Sequence, residues 1–508
     1  MFSIALYTLG CKLNQLESES IADAFRNAGF RVLPWEHETE AAYPGEPVSE
    51  PVPRDQGSPH ILVINTCTVT SKAEQKARRI IRGALRDHPA AVLMITGCYA
   101  QMDPLGIGGL ETETAGYACD PARQRLFVLP GDRKSALLDL PGFLIQESGF
   151  LLGGPGESRT LLLSQLLSRW VREGPEPVPA GRPEDCRRFR FNPAGFFFHS
   201  RAFVKIQDGC DNRCAYCRVS LARGPSVSLE APKALSALKA LEARGYGEAV
   251  LTGVNIVQYR HCSKDLAGLL EYLLQETAYI RLRLSSLEPE GISRELVAVL
   301  ANPRIRPHFH LSVQSGSPLI LERMGRGYTP EIIEKGVRLL RSVKDDPFLG
   351  CDIIAGFPGE TEEAFEASCR LCGQLDFAWI HGFPYSPRPG TGAYTCKEPV
   401  PEREARVRVE RLAALGNERR QGYIRRWLGR TVEGIVETNN ALPLSLAAAV
   451  SDNYLKLLLK TPDGDPLKPG SVLQCRILDF TDREGEYSRF DALAAVVRLR
   501  ENARPGGG

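Results

Sequence analysis

Three cysteines near the middle of the chain have the type and spacing that could bind iron. They are Cys210, Cys214 and Cys217, in the segment CDNRCAYC. A structural zinc ion takes four protein ligands, so three thiolates suit it poorly. Three thiolates do suit a 4Fe–4S cluster that leaves one iron open. The alternative interpretation is three buried cysteines whose spacing is accidental.

An open iron would give this cluster a reaction to perform. It can chelate the amino and carboxylate groups of S-adenosylmethionine (SAM), and an electron passed into the sulfonium then releases a 5′-deoxyadenosyl radical. The cysteines directly follow the first strand of a predicted parallel barrel, and barrel active sites lie at that carboxyl edge. We therefore expect radical chemistry at this place in the fold.

A second set of cysteines is recognised by its position at the ends of predicted strands and not by its spacing in the sequence. Cys11, Cys67 and Cys98 each follow closely on the end of a predicted strand. Adjacent parallel strands bring such residues to one rim of the sheet, where three thiolates could converge on a second cluster. The alternative is that they are core cysteines. The pair Cys369 and Cys372 lies in a helical pattern, so we interpret it as structural.

The residues around this second set predict a small parallel α/β domain at 1–137. Strand-like runs at 2–7, 61–65 and 91–96 alternate with helical patterns, and one helix is predicted to start at a capping box of Ser71 and Glu74.

Two stretches resemble insertions or linkers. Residues 37–60 hold five prolines and many charges, which predicts a surface loop. Residues 138–198 are predicted to form a linker with one added helix at 161–171.

Six strand-like runs separated mostly by helical patterns follow between residues 199 and 426. They are 202–206, 249–252, 281–285, 308–313, 351–355 and 378–383. This alternation predicts a parallel barrel, and six units rather than eight predict a partial (β/α)6 barrel with one open side. From 427 to 500, short alternating runs predict a small antiparallel β-barrel.

Composition excludes several classes of protein. The chain has 508 residues, which suits roughly three domains, and its net charge of +2 means that any basic surface must be local. It has no apolar run of about 18 residues and opens without a signal-peptide pattern, so we expect a cytosolic protein that does not enter a membrane. Fourteen cysteines in such a chain favour metal binding or catalysis over disulfides.

Motifs spread over nearly the whole chain resemble those of the radical SAM methylthiotransferase family. They are LGCKLN from Leu9, NTCT from Asn65, GCYAQ from Gly97, KIQDGC from Lys205, LSVQSGS from Leu311, DIIAGFPGE from Asp352 and FPYSPRPGT from Phe383. The resemblance implies two 4Fe–4S clusters, one on each set of three cysteines, and SAM as a further cofactor. It also implies that the last domain is a TRAM-like, RNA-binding barrel.

The chain departs from the family pattern in two ways. The insertions at 37–60 and 138–198 are longer than the family usually carries. Arg218 and Val219 stand where many members have two aliphatic residues after the last cluster cysteine. Neither departure touches a predicted ligand.

The resemblance also indicates where SAM would bind, while no catalytic residue is assigned. The candidate contacts lie in pairs at the ends of the second, fourth and fifth barrel strands, where they would meet the amino group, the ribose and the adenine of SAM. A plain strand-end turn is the alternative for the first pair, in which glycine allows close backbone approach. The six residues are Gly253, Asn255, Gln314, Ser315, Gly356 and Glu360.

Residues 10–14, 68–70 and 99–101 are similar to the branch of the family that modifies threonylcarbamoyladenosine in tRNA. We therefore expect methylthiolation at carbon 2 of N6-threonylcarbamoyladenosine at position 37, in an anticodon loop whose bases can be splayed into a pocket. Arg223 and Arg388 are candidates to meet its carboxylate. Besides tRNA, we expect a low-potential electron donor and a sulfur donor as partners of a monomer.

Three alternatives stay open. The substrate could be isopentenyladenosine at the same position, or a side chain of a ribosomal protein. From a different class, the chain could be a non-enzymatic iron–sulfur RNA-binding protein.

Three basic regions could follow an RNA backbone. They are the helix from Lys72 to Arg86, the segment 401–430 with nine arginines against four glutamates, and scattered basic residues in the terminal barrel. A solvated helix face is the alternative for each.

Overall fold

The computed structural model describes residues 2–34, 58–115, 124–147, 156–174, 185–438, 442–443, 445–461, 466–481 and 487–500. Most of the predicted loop at 37–60 lies outside these residues, as do a proline-rich stretch at 175–183 and the terminal ARPGGG. The described residues form two compact units. The first runs to Phe198 and includes Arg218–Pro225, and the second contains His199–Cys217 and the chain from Ser226 onward.

Five parallel strands form the sheet of the first unit, in the order β2-β1-β3-β4-β5. They are β1 (Ser3–Thr8), β2 (Arg31–Pro34), β3 (Ile61–Thr66), β4 (Val92–Gly97) and β5 (Leu126–Val128). Every residue of β3 and β4 is buried, which is typical of central parallel strands. The sequence predicted β1, β3 and β4, whereas β2 and β5 are too short to show a periodic pattern.

Nine helices of the first unit are described. They are α1 (Lys12–Asn27), α2 (Ser71–Asp87), α3 (Cys98–Met102), α4 (Pro104–Gly108), α5 (Leu110–Ala115), α6 (Leu140–Glu147), α7 (Gly156–Glu173), α8 (Asp185–Arg188) and, from the later segment, α9 (Val219–Arg223), with a 3-10 helix at Gly131–Leu138. Helix α7 covers the added helix predicted in the linker.

The predicted capping box of α2 is wrong by one residue. Thr70, not Ser71, is the N-cap: its backbone is extended, and its Oγ1 accepts a hydrogen bond from the amide of Ala73 at 3.1 Å. Glu74 accepts from the hydroxyl of Thr68 at 2.5 Å instead of closing the box.

Six parallel strands of the second unit form two sheets, in the orders β10-β9-β6 and β11-β12-β13. They are β6 (Ala202–Lys205), β9 (Glu248–Thr252), β10 (Arg281–Leu284), β11 (His308–Gln314), β12 (Phe348–Ala355) and β13 (Trp379–Pro384), while β7 (Gln207–Asp208) and β8 (Val227–Ser228) pair separately. Isolated parallel bridges join Leu282 to Ile305 and Leu287 to Leu311, so β10 connects with the second sheet. The partial barrel of six units is confirmed.

Seven helices accompany these strands. They are α10 (Ala231–Ala243), α11 (Leu266–Glu276), α12 (Arg294–Leu300), α13 (Pro318–Arg323), α14 (Pro330–Val343), α15 (Glu362–Gln374) and α16 (Glu402–Trp427), with 3-10 turns at Ile256–Gln258, Pro289–Gly291 and Gly392–Thr395. None of the helices in the described part of the chain is long and apolar enough to span a bilayer.

Five strands at the end of the chain close into a barrel in the order β14-β15-β16-β18-β17. They are β14 (Thr431–Glu437), β15 (Leu446–Ser451), β16 (Lys456–Lys460), β17 (Val472–Phe480) and β18 (Ala492–Arg500). The predicted barrel is confirmed, but β16 and β18 pair in parallel. A closed ring with an odd number of strands cannot be antiparallel throughout. Strand β15 was not predicted because its sequence, LAAAVS, does not alternate.

A buried ion-pair network lies where the terminal barrel meets the amino ends of the parallel strands. The carboxylate of Glu248, which begins β9, lies 2.7 Å from Arg283 of β10 and 2.6 Å from Arg306 before β11. Arg306 also reaches Glu433 of β14 at 2.8 Å. Burial alone would raise the pKa of Glu248, but the two guanidinium groups hold that pKa well below its usual range.

An apolar cluster extends the same contact. Phe348, at the start of β12, belongs to one buried cluster with Tyr423 and Trp427 of α16 and with Leu457 and Leu473 of the barrel. Removing the chain from about residue 430 would expose this cluster and open the ion-pair network. The terminal barrel is therefore part of the core of the second unit.

Replacing Glu248 with Gln should strongly destabilise the second unit. The change leaves Arg283 and Arg306 buried without their shared carboxylate, and breaking a buried ion pair costs about 3–5 kcal/mol. As a matched control, Glu402→Gln removes a carboxylate from an exposed pair with Arg406 and should change the unfolding midpoint little. Unfolding followed by circular dichroism compares the two. Equal midpoints for both variants would contradict this account of the network.

Candidate active site

Cys11, Cys67 and Cys98 lie at the carboxyl edge of the sheet in the first unit. Cys11 is the N-cap of α1 after β1, Cys67 follows β3 directly, and Cys98 begins α3 after β4. Because β1, β3 and β4 are neighbouring parallel strands, their ends meet at one edge. The structure thus brings together the three residues that the sequence singled out here.

Two glycines allow the loops to approach this closely. Gly10 and Gly97 directly precede cysteines, and both have a φ of +104°, which side chains other than glycine rarely adopt. A Cβ on Gly10 would lie 2.8 Å from the Cβ of Cys67. Burial, together with the nearby thiols of Cys98 and Cys11, raises the pKa of Cys67 to about 12. The three thiols are therefore close enough to interact.

Asn14 ties the two central loops of this edge together. Its Nδ2 donates to the carbonyl of Leu9 at 2.7 Å and to that of Thr66 at 3.1 Å. Asn65 donates in turn to the backbone carbonyl of Asn14 at 3.0 Å. These buried hydrogen bonds hold together the loops that carry Cys11 and Cys67.

Cys210, Cys214 and Cys217 lie half-buried on a loop that follows β7 in the second unit. Gln258 clamps the start of the loop, accepting from the amide of Asp211 at 3.0 Å and donating to the side chain of Asn212 at 2.8 Å. The backbone of Ala215 bonds to Met324 and Ala393 at 2.9 and 2.7 Å. The loop is therefore held from several sides.

Neither set of cysteines forms a ready site for one metal ion. Within the part of the chain that the structure describes, no three His, Cys, Asp or Glu side chains form such a site. A 4Fe–4S cluster is larger than a single ion and is bound through thiolates that need not touch a common atom. Two sets of three free thiols, each on a fixed carboxyl edge, suit that larger group.

Two buried acceptors at the ends of barrel strands, one of them beside Cys210, suit SAM. The side chain of Asn255 bonds to the thiol of Cys210, while its Oδ1 and the Oε1 of Gln314 find no hydrogen-bond partner among the described residues. Buried polar atoms are nearly always bonded, so these acceptors suit the amino and hydroxyl donors of SAM. Gln314 also has a φ of +64°, a strained value of the kind found at functional sites.

Comparisons with known proteins agree with this geometry. Residues 204–372 match the radical SAM superfamily, and residues 50–115 match the uncharacterized protein family UPF0004. The threonylcarbamoyladenosine tRNA methylthiotransferase MtaB of Treponema pallidum is 41% identical over 94% of this chain and 98% of its own length. The chain belongs to the radical SAM methylthiotransferase family, of the MtaB type.

Two further relatives show how far the similarity extends. The protein of the same name from Bacillus subtilis is 30% identical over 98% of this chain and all of its own length. A tRNA-2-methylthio-N(6)-dimethylallyladenosine synthase from Citrifermentans bemidjiense is 28% identical over 93% of this chain and 95% of its own. Membership of the radical SAM superfamily implies one 4Fe–4S cluster and SAM, and the matched range contains Cys210, Cys214 and Cys217.

The remaining predicted SAM contacts lie in strand-end turns that are held by close packing and by hydrogen bonds. Gly253 leaves no room for a side chain, since a Cβ there would lie 2.8 Å from Oε1 of Gln207. Ser315 Oγ accepts from the amide of Ser317 at 3.2 Å. Glu360 accepts from the amide of Gly356 at 2.6 Å and from Arg408 at 2.7 Å. These residues fix strand-end turns, and their contact with SAM stays a prediction.

Arg326 is a residue near the cluster loop that sequence reasoning missed. It is buried, pairs with Glu288 at 2.8 Å and lies 5.7 Å from the ring centroid of Tyr216, between Cys214 and Cys217. Burial raises the pKa of the Cys214 thiol and Arg326 counteracts that rise. A lone arginine in a loop, over a hundred residues after the cysteines, gives no spacing signal.

Sequence reasoning also missed a polar group on the three strands of the second sheet. Asp352 of β12 lies 3.0 Å from His310 of β11 and 3.0 Å from His381 of β13. Burial alone would raise the pKa of Asp352, but the two imidazoles hold it well below its usual range. A signal did exist, because each of the three is an ionisable residue inside a predicted strand.

Replacing Asn255 with Ala should weaken SAM binding by about tenfold or more, because a hydrogen bond to a charged group contributes about 1.5–3 kcal/mol. Asn302→Ala is the control: its Oδ1 accepts from the amide of Arg304 before β11, away from the cysteines. Equilibrium SAM binding to anaerobically reconstituted protein measures both. Unchanged binding in the Asn255 variant would exclude this residue from the SAM site.

Proposed function

We propose that this enzyme methylthiolates carbon 2 of N6-threonylcarbamoyladenosine at position 37 of tRNA, using two 4Fe–4S clusters. The observation that carries the proposal is the pair of three-cysteine sets, each at the carboxyl edge of a parallel sheet and each in a different unit. The names of the relatives support the substrate, because those at 41% and 30% identity are named for threonylcarbamoyladenosine and the one at 28% for dimethylallyladenosine.

The proposed roles of the two sets differ. A cluster with an open iron supplies, together with SAM, a radical that can attack an aromatic C–H bond, which offers no leaving group to ionic substitution. Cys210, Cys214 and Cys217 would hold that cluster, with Asn255 and Gln314 orienting SAM. The other set would hold the cluster that delivers sulfur, fed by a sulfur donor, and a low-potential donor would supply electrons.

The three-thiolate count weighs against a non-enzymatic iron–sulfur protein. A purely structural cluster gains nothing from an iron without a protein ligand, and Cys210, Cys214 and Cys217 supply three thiolates only. Asn255, whose side chain bonds to the thiol of Cys210, also has a buried Oδ1 without a hydrogen-bond partner among the described residues, which suits a bound SAM.

Iron content tests the two-cluster part of the proposal. Anaerobically reconstituted protein should bind about eight irons, and alanine replacements at Cys210, Cys214 and Cys217 should leave about four. Replacing Cys11, Cys67 and Cys98 should also leave about four, because each set serves its own 4Fe–4S site. An unchanged iron content in the variant without Cys11, Cys67 and Cys98 would refute the proposal of a second cluster.

Helix α2, and not the arginine-rich helix α16, offers an unpaired basic stripe for tRNA. Seven of the nine arginines at 401–430 form ion pairs with acidic side chains, namely Arg406, Arg408, Arg411, Arg419, Arg420, Arg426 and Arg430. On α2, Lys72, Arg79 and Arg86 are exposed, stand seven residues apart on one face, and form no ion pair with any described residue. The stripe spans about 21 Å and begins near Cys67.

Replacing Lys72, Arg79 and Arg86 with Gln should weaken tRNA binding. The slope of log affinity against log salt should fall by about 2, since each lost contact to single-stranded phosphates removes about 0.7. The same replacements at Arg406, Arg411 and Arg426, which are already neutralised by acids, should change the slope much less. Filter binding or fluorescence anisotropy over a salt series measures both. Identical slopes in the two variants would exclude α2 as the RNA contact.

The substrate is tested by offering purified enzyme two tRNAs, one threonylcarbamoylated and one isopentenylated, with SAM, a reductant and sulfide. Mass spectrometry of the digested nucleosides should show a methylthio group on the first only. Methylthiolation of the isopentenylated tRNA alone would overturn the substrate and leave the reaction class standing.

A further inference from the structure

Arg223 of α9 lies beside the cysteines of the first unit. Its Nε donates to Sγ of Cys98 at 3.3 Å, and its Nη2 donates to Oδ1 of Asn14 at 2.8 Å. The two terminal nitrogens also reach the two carboxylate oxygens of Glu17, at 3.1 and 3.3 Å. Only 9% of the side chain is exposed. The sequence predicted that Arg223 meets the substrate carboxylate, but its donors are engaged here.

This arrangement requires an arginine. The planar guanidinium uses its two outer nitrogens for a forked pair with Glu17, which fixes its plane and leaves Nε pointing at the sulfur of Cys98. A lysine has one nitrogen on a flexible stem and cannot hold both partners in a fixed geometry. Asn14, the third partner, is the residue that ties the loops before Cys11 and Cys67 together.

The charges around Glu17 are suited to a negatively charged group at the thiols. Lys134 lies 2.5 Å from Glu17 and both side chains are 3% exposed, so Arg223 and Lys134 together bring two positive charges and Glu17 one negative charge. Glu19, a second buried carboxylate of α1, accepts instead from the amides of Phe197 and Phe198. An oxidised 4Fe–4S core on three thiolates carries a net charge of about −1.

A neighbouring arginine provides a contrast. Arg218 comes from the same short segment and is equally buried, with 11% of its side chain exposed, but it pairs with Glu74 at 3.3 Å. The segment Arg218–Pro225 therefore contributes one arginine directed at a cluster cysteine and one directed at an acid.

We propose that Arg223 is the positioning residue of the cluster on Cys11, Cys67 and Cys98, donating a hydrogen bond to the Cys98 sulfur and thereby raising the reduction potential of that cluster. Hydrogen bonds to ligand sulfurs and nearby positive charge both stabilise the more negative, reduced state of an iron–sulfur cluster. The inference rests on the proposed function, because it requires the second cluster to exist. It assigns to Arg223 a role in tuning that cluster and none in contacting the substrate.

The test uses full-length protein in which Cys210, Cys214 and Cys217 are replaced with Ala, so that only the other cluster is present. Arg223→Met, Arg223→Lys and the matched control Arg218→Met are compared in this background. The readouts are bound iron and the midpoint potential, from redox titration followed by electron paramagnetic resonance. Neither readout depends on turnover.

Arg223→Met should shift the one-electron reduction equilibrium against the reduced cluster by at least tenfold, which is about 59 mV. Arg223→Lys should restore part of the shift because it keeps the charge but not the fork, and Arg218→Met should match the parent. If Arg223→Met fails to fold, the Arg223→Lys variant decides, since its midpoint potential must also lie below that of the parent. Midpoint potentials equal to that of the parent in both Arg223 variants would overturn the inference. A parent without iron would instead overturn the second cluster itself, and with it this inference.

Discussion

Cysteines can share an iron–sulfur cluster only if the loops that carry them lie close together. The two units satisfy this constraint in different ways. In the first unit, the cysteines are more than thirty residues apart in sequence and come together because β1, β3 and β4 are adjacent parallel strands that end at one edge. Glycines at Gly10 and Gly97 provide the close approach. In the second unit, the cysteines share one loop, and the surrounding barrel holds that loop through Gln258 and Met324.

The opposite edge of the barrel provides stability. The network around Glu248 joins the amino ends of the parallel strands to the terminal barrel, so substitutions there are expected to change unfolding rather than chemistry. This division between a carboxyl edge for reaction and an amino edge for stability follows from the parallel barrel itself. Because the terminal barrel is part of the core of the second unit, its RNA-binding role is best tested with surface substitutions and not by deletion.

The basic regions differ in how many of their side chains pair with acidic residues, a difference that the sequence does not show. The sequence counts nine arginines in 401–430 but does not show that most of them face acids on α15, on the loops after α14 and α15, and on the terminal barrel. The stripe on α2 is smaller, yet its exposed members have no acidic partner among the described residues. Net basic content is therefore a poor guide to phosphate contact without the fold.

Much of the fold could be predicted because the strands are strongly apolar and end at recognisable motifs. The six barrel strands and both cysteine sets follow from that pattern. Short strands such as β2 and β5 and the parallel pairing of β16 with β18 could not be predicted, since they depend on contacts distant in sequence. The cap at Thr70 was missed for a local reason: Thr70 and Ser71 are neighbouring residues that can both cap a helix. Arg326 and Arg223 illustrate the same limit at the site. Each is an ordinary arginine in sequence, and only the fold places one beside Tyr216 and the other beside Cys98.

The central claim is that this chain adds a methylthio group to threonylcarbamoyladenosine in tRNA, with each cysteine set required. The most direct measurement is mass spectrometry of tRNA nucleosides from cells that lack the gene, with and without complementation by the wild type or by Cys67→Ala. The account predicts that 2-methylthio-N6-threonylcarbamoyladenosine disappears while its unmethylthiolated precursor remains, and that only the wild type restores it. Persistence of the methylthiolated nucleoside in the deleted cells, or its restoration by Cys67→Ala, would contradict the account.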